Sequence, residues 1–213
     1  MKVAIVIPAY NEEETLGRVV AACRQVPEVA EVIVVSDGST DRTPDIARHA
    51  GATRVVVLGE NQGKGAAMKV GVDHTQADVV LFLDGDLIGL TPEHVRALLD
   101  PVLDGTADMT LGLFEGGRFT SDLAQVVAPY LSGQRAVRRS LLDQIENMEH
   151  ARYGVEVLLT NATKRLGAKV VEVALEQLTH RHKEEKAGLV KGFGLRIKMY
   201  WEIMKSVQKI QRR

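Results

Sequence analysis

Leu81-Phe82-Leu83-Asp84-Gly85-Asp86 is the stretch whose reading decides the fold. Val79 to Leu83 is continuously apolar and too brief for a helix, so it predicts a short buried strand. Two carboxylates follow, one residue apart, where that strand runs out. In an open α/β sheet, ligands bind in the crevice outside the carboxyl ends of the strands. Alternate side chains of an extended segment point to opposite faces. Gly85 loosens that constraint, so Asp84 and Asp86 can turn toward one ligand. A hard divalent cation bridging carboxylate and diphosphate oxygens suits such a pair. The plain alternative is two solvated acids in a turn, and the flanking sequence has to separate the two.

Upstream, Lys2 to Ile7 (K-V-A-I-V-I), Glu31 to Ser36 (E-V-I-V-V-S) and Arg54 to Leu58 are apolar and β-branched, and each predicts a strand. Helical spacing lies between them. Glu12 to Val26 carries apolar Leu16, Val19, Val20 and Cys23, with Asn11 as the expected cap and Glu12, Glu13 and Glu14 at the positive end of the dipole. A second helix, capped by Thr40 or Asp41, runs to about His49, and a third spans Ala66 to about His74. This alternation predicts right-handed parallel crossovers in a doubly wound, mostly parallel α/β sheet. The four strand ends carry P-A-Y-N-E, S-D-G-S-T-D, G-E-N-Q-G-K-G and D-G-D, which would line one edge of the sheet. That edge is where a nucleotide binds.

The second half is less regular. Pro92 to Leu103 predicts a helix capped by Thr91, and Ala107 to Phe114 a strand. Gly116 to Thr120 reads as a loop, Asp122 to Tyr130 as a helix, Ser132-Gly133-Gln134-Arg135 as a turn and Arg138 to Met148 as a short helix. Tyr153-Gly154-Val155-Glu156 opens a helix ending near Gly167, and Ala168 to Ala174 is the last strand. The expected organisation is one domain over 1–185, with a nucleotide-binding half (1–90) and an acceptor half (91–185), followed by a basic amphipathic helix over 186–213.

Composition narrows the function classes. With 213 residues, 45% hydrophobic and 26% charged, the chain can bury one sizeable core, and a net charge of −1 gives no footprint for nucleic acid. The single Cys23 excludes an intramolecular disulfide and a cysteine zinc site, and its apolar setting predicts a core residue. No run approaches the roughly 18 apolar residues that span a bilayer. Met1-Lys2 leads directly into a strand, leaving no room for a signal peptide, so a cytoplasmic protein is the expectation.

Asp37-Gly38-Ser39-Thr40-Asp41 is either a turn with a helix cap or a loop whose Asp37 carboxylate accepts hydrogen bonds from a base. Gly63-Lys64-Gly65 lacks the spacing of a Walker A loop, which argues against an ATPase. Its glycines still let backbone amides approach a phosphate, with Lys64 as a point charge beside it. Taken together, I-P-A-Y-N-E-E-E-T-L at 7–16, S-D-G-S-T-D at 36–41, N-Q-G-K-G at 61–65 and D-G-D at 84–86 resemble, in order and spacing, the GT-A nucleotide-sugar glycosyltransferases, family 2 in particular. The resemblance implies that Pro8, Ala9, Tyr10, Glu12, Asp37 and Lys64 contact the nucleotide of a UDP- or GDP-sugar. It implies further that Asp84 faces the ribose and that Asp86 holds Mg²⁺ or Mn²⁺ on the diphosphate.

G-R-F-T at 117–120, Y-G-V-E at 153–156 and T-H-R-H at 179–182 are similar to segments of glucosyl-3-phosphoglycerate synthases. That resemblance implies that Arg118 and Thr120 bind an acceptor phosphate, that Glu156 touches the sugar and that His180 completes the metal site, with His182 as its substitute. Arg118 suits a bidentate grip on phosphate or carboxylate, although an Arg on a solvated loop reads the same way. Glu156 is also the candidate base if the reaction inverts, whereas in a retaining reaction the leaving phosphate takes that proton.

The expected activity is metal-dependent transfer of a sugar from a nucleotide diphosphate to a small phosphorylated or carboxylated acceptor. A polyprenyl phosphate acceptor, a sugar nucleotidyltransferase and a non-catalytic nucleotide-sugar-binding module are the alternatives. P-A-Y-N-E-E-E after the first strand, where a nucleotidyltransferase needs a Gly-rich loop, argues against the second. The presence of both Asp84 and Asp86 argues against the third. Lys186, Lys191, Arg196, Lys198, Lys205, Lys209, Arg212 and Arg213 stand against only Glu202 in the last helix, with Leu195, Met199, Ile203 and Val207 every four positions. That helix is either a solvated basic face packed by one stripe or a peripheral membrane element facing anionic lipid at the inner face. A homodimer is compatible with the sequence.

Overall fold

In the computed structural model, residues 1–114, 132–151 and 154–180 are described. Two core clusters sit on opposite faces of one sheet, and the period-2 alternation of the strands builds both. In β1 (Val3–Ala9), Val3, Ile5 and Ile7 face one cluster and Val6 the other. In β2 (Val29–Asp37), Val32 and Val34 oppose Ile33 and Val35 in the same way. On the first face lie α1 (Leu16–Arg24), α2 (Thr43–His49) and α4 (Pro92–Leu103). On the second lie α3 (Lys64–Asp73), α5 (Arg139–Leu142), a 3₁₀ turn (Met148–His150) and α6 (Val155–Arg165).

Among the described residues the main sheet has seven strands in the order β3-β2-β1-β4-β7-β6-β8. The added members are β3 (Arg54–Leu58), β4 (Val79–Phe82), β6 (Met109–Phe114), β7 (Arg135–Arg138) and β8 (Val170–Leu175). β1 pairs parallel with both β2 and β4, and β2 with β3. Chain order therefore reverses at β1, which places the switch-point crevice between β1 and β4, directly above Asp84. β7 runs antiparallel between β4 and β6, and β6 pairs parallel with β8. A separate two-stranded ribbon joins β5 (Leu87–Ile88) to β9 (Thr179–His180), with Leu87 opposite His180.

The doubly wound, mostly parallel α/β sheet of the sequence reading is borne out. Its first seven elements stand as expected, with ends shifted by a few residues. Asn11 is not the cap of α1. Thr15 holds that position, and Asn11, at φ 55°, turns its side chain to the next loop. The cap expected at Thr91 is present, and His94 extends it to a capping box.

Three strands went unread: β5, β7 and β9. Ser132 to Arg135 is not simply a turn. Arg135 begins β7, whose end charges disguise a strand, and α5 is one short turn rather than a helix to Met148. β9 occupies what reads as polar loop, because a two-residue ribbon has no periodicity to detect. The expected helix over 122–130, the loop with Arg118 and Thr120, and the basic segment 186–213 lie outside the described residues, as does His182.

Candidate active site

The loops after β1 and β2 are joined first. Asn11 accepts from the Thr40 amide (2.9 Å), Thr43 Oγ1 accepts from the Glu12 amide (2.8 Å), and Asp41 accepts from the Glu13 amide (3.2 Å). Pro8, Ala9, Tyr10 and Glu12 thereby gather at the carboxyl end of β1. Glu12 is buried and the Tyr10 ring is 47% exposed at the rim. The D-G-D turn closes against this loop: Thr15 Oγ1 donates to the Gly85 carbonyl (2.9 Å), and a Cβ on Gly85 would stand 3.4 Å from that of Ala9.

Asp37, at the end of β2, is 4% exposed, and its two carboxylate oxygens accept from the amides of Gln62 (2.8 Å) and Gly63 (2.9 Å). The residue expected to read a base therefore also holds the loop that opens α3. Gly38, at φ 68°, lets the two loops touch, since a Cβ there would meet Asn61 N at 2.5 Å. Lys64 is thus the first residue of α3 and points into the crevice.

At the crevice floor, Lys64 Nζ lies 2.5 Å from Asp84 Oδ1 and 2.6 Å from Glu156 Oε1. Asp84 Oδ2 accepts from Gln134 Nε2 (2.9 Å) and lies 3.1 Å from His180 Nε2, which is 3.9 Å from Asp86 Oδ1. The Phe114 ring meets the His180 ring edge-on, with centroids 4.8 Å apart. Burial alone would raise the Asp84 pKa, but Lys64 and His180 outweigh it and hold the carboxyl well below its usual range. Burial alone would lower the Lys64 amine, and Asp84 and Glu156 reverse that to a raised value. The His180 imidazole is likewise raised, with Asp84 and Asp86 overcoming burial.

One donor atom from each of Asp84, Asp86 and His180 lies within 4.8 Å of the others, the one such group among the described residues. Two carboxylates and an imidazole with no thiolate form a hard oxygen–nitrogen set that fits Mg²⁺ or Mn²⁺. Lys64, Asp84, Asp86, Glu156 and His180 come from loops and elements spread over the whole chain, and the fold converges them on one point.

Sequence reading missed the neighbours that shape this point. Gly133 has no side chain because a Cβ there would stand 2.6 Å from both Asp84 Oδ2 and Lys64 Nζ. The only trace of this in the sequence is a glycine between polar residues next to a disguised strand.

The family model described as glycosyl transferase family 2 matches residues 4–148, more than half of the chain. The chain belongs to that family. Its fold is shared with glucosyl-3-phosphoglycerate synthase from Mycobacterium tuberculosis. In complex with phosphoglyceric acid, that enzyme superposes with a TM-score of 0.77 at 30% identity, covering 98% of this chain and 79% of the other. Its complex with Mn²⁺, UDP-glucose and phosphoglyceric acid gives 0.72 at 33% identity, covering 85% and 72%. The undecaprenyl-phosphate 4-deoxy-4-formamido-L-arabinose transferase of Edwardsiella ictaluri (strain 93-146) is 30% identical over 89% of this chain. The chain spans 64% of that relative's length. No helix among the described residues is long and apolar enough to cross a membrane.

Proposed function

We propose that this chain transfers a sugar, with the help of a divalent cation, from a nucleotide-diphosphate donor to a small phosphorylated or carboxylated acceptor of the 3-phosphoglycerate kind. The observation that carries the reading is the cluster of Asp84, Asp86 and His180 beside Lys64 at the switch point of the sheet. It is supported by family membership and by a fold shared with a synthase crystallised with Mn²⁺, UDP-glucose and phosphoglyceric acid. Asp86 and His180, with Asp84, would hold Mg²⁺ or Mn²⁺, and the ion when bound supplies positive charge to the leaving diphosphate.

The chain's own residues do the rest. Pro8, Ala9, Tyr10 and Glu12 would line the edge on which the base and ribose rest, and Asp37 would accept from the base while it holds the loop of Lys64. Lys64 exchanges a carboxylate partner for diphosphate oxygens, so its charge is delivered where negative charge grows. Glu156 is occupied by Lys64 at 2.6 Å, which suits it to orienting the sugar hydroxyls rather than taking a proton. Arg118 and Thr120 are assigned to the acceptor anion on the G-R-F-T motif alone.

A second reading, a polyprenyl-phosphate acceptor, is favoured by the relatives named undecaprenyl-phosphate transferases and by the basic segment 186–213, which would then rest on the inner face of a membrane. The test is nucleotide release from a panel of UDP- and GDP-sugars with Mg²⁺ or Mn²⁺. It is run with 3-phosphoglycerate or with undecaprenyl phosphate in anionic vesicles. Release that rises with 3-phosphoglycerate supports the first reading. Release that rises only with the lipid phosphate replaces it with the second, and no metal-dependent release with any sugar overturns both.

A further inference from the structure

Arg135 opens β7 at 0% exposure and heads the largest wholly buried side chains. Its Nε donates to the Ser132 carbonyl (2.8 Å) and its Nη1 to Thr160 Oγ1 (2.8 Å). Thr160 Oγ1 in turn donates to the Glu156 carbonyl (2.9 Å), so the hydroxyl relays the guanidinium to the first turn of α6. Burial lowers the Arg135 pKa to about 10, and the charge of Glu156 opposes the drop. A guanidinium withdrawn from water is a costly way to join a strand to a helix, because an apolar side chain of similar volume does so at equal or lower cost. What the charge adds is a second cation acting on Glu156, whose carboxylate is 2.6 Å from Lys64.

We propose that Arg135 is a positioning residue: through Thr160 and the first turn of α6 it sets Glu156 against Lys64 at the sugar end of the crevice, without itself meeting substrate. This rests on the reading of Glu156 as the residue that faces the donor sugar. Arg135 explains why α6 opens so close to Asp84. Gly133, two residues before it, carries the backbone against the Lys64–Asp84 pair, so the segment that enters β7 brings one residue to each side of the corner.

The test combines Arg135→Met, Arg135→Lys and Glu156→Gln with the Arg135→Met/Glu156→Gln double variant. Readouts are UDP affinity with Mn²⁺ and kcat/KM for UDP-glucose with 3-phosphoglycerate. Misplacing a group by about 1 Å costs on the order of 100-fold, which is the loss expected in kcat/KM for Arg135→Met, with UDP affinity held within about twofold. Arg135→Lys keeps the charge without the planar fork and recovers part of the loss. On the Glu156→Gln background, Arg135→Met costs no more than about threefold, because the two act as one unit. An equal loss in both backgrounds, or a parallel fall in UDP affinity, overturns the proposal. Should Arg135→Met fail to fold, Thr160→Val removes the relay hydroxyl and leaves Arg135 in place. It is expected to lower kcat/KM about fivefold at constant UDP affinity, the cost of one hydrogen bond of about 1 kcal/mol, and wild-type behaviour overturns the proposal. A wild-type protein that turns over while Glu156→Gln changes nothing overturns the assignment of Glu156 itself.

Discussion

The loops after β1 and β2 are knitted by hydrogen bonds that fix backbone to side chain, from Asn11, Thr43 and Asp41 across to one another's loops. The corner where β4, α3 and α6 meet is held instead by ion pairs among Lys64, Asp84, Glu156 and His180. The first arrangement is formed before any ligand arrives, which lowers the ordering cost of binding a nucleotide. The second is satisfied by charges that, on the proposed function, a diphosphate and its cation would displace. Among the described residues no buried side-chain nitrogen or oxygen lacks a partner, so both regions are complete without ligand. They differ in what a ligand has to exchange. On the proposed function a ligand would dock onto the loops but would have to re-pair the charges of the corner.

Substitutions should separate the two regions, and the largest effect belongs to the corner. Asp86→Ala should abolish the contribution of Mn²⁺ to nucleotide affinity, a loss of about tenfold or more measured by calorimetry. Affinity that stays metal-dependent would remove Asp86 from the ion. Gly133→Ala comes next. The added Cβ would stand 2.6 Å from Asp84 Oδ2 and Lys64 Nζ, so the ion pair must open. An overpacking cost of about 1–3 kcal/mol should appear in turnover more than in folding. Unchanged kcat would show that the pair shifts freely.

Legibility in the sequence follows the same division. Strand ends with N-Q-G-K-G, S-D-G-S-T-D and D-G-D placed Lys64, Asp37 and the two acids at one edge, because parallel crossovers leave no other arrangement. Gly133, Arg135 and the β5–β9 ribbon that seats His180 beside Asp84 were invisible. Their roles come from contacts across 25 to 96 positions of chain, which no local pattern encodes. Asp37 was legible only in part. Its type and place suggested a base contact, while its grip on Gln62 and Gly63 needed the packing of two loops.

Smaller effects sharpen the loop side. Asp37→Asn replaces one of two acceptors by a donor facing a backbone amide, at a cost of about 1–3 kcal/mol. Thermal unfolding should register this as a fall of about 2–4 °C per kcal/mol. No change would mean the loop is held elsewhere. Thr15→Val removes the hydroxyl that donates to Gly85, a loss of about 1 kcal/mol, with the nucleotide affinity unaltered. A drop in affinity would tie the D-G-D turn to α1 functionally.

The last effect is confined to alkaline pH. Burial pushes the Cys23 thiol from 9.0 up to about 12, so between those values the folded chain keeps a proton that the unfolded chain has lost. Its contribution to stability is therefore intact below pH 9 and falls away as pH rises toward 12. Cys23→Ala should flatten that part of the stability–pH curve, and an identical slope would show the thiol to be accessible.

The most direct test of the central claim is calorimetric titration of the wild-type protein with UDP and with GDP, each with and without Mn²⁺, repeated on His180→Ala. The account predicts at least about a tenfold gain in affinity for one of the two nucleotides with Mn²⁺, and that gain should vanish when His180 is removed. Equal affinity with and without the metal, for both nucleotides, would contradict it.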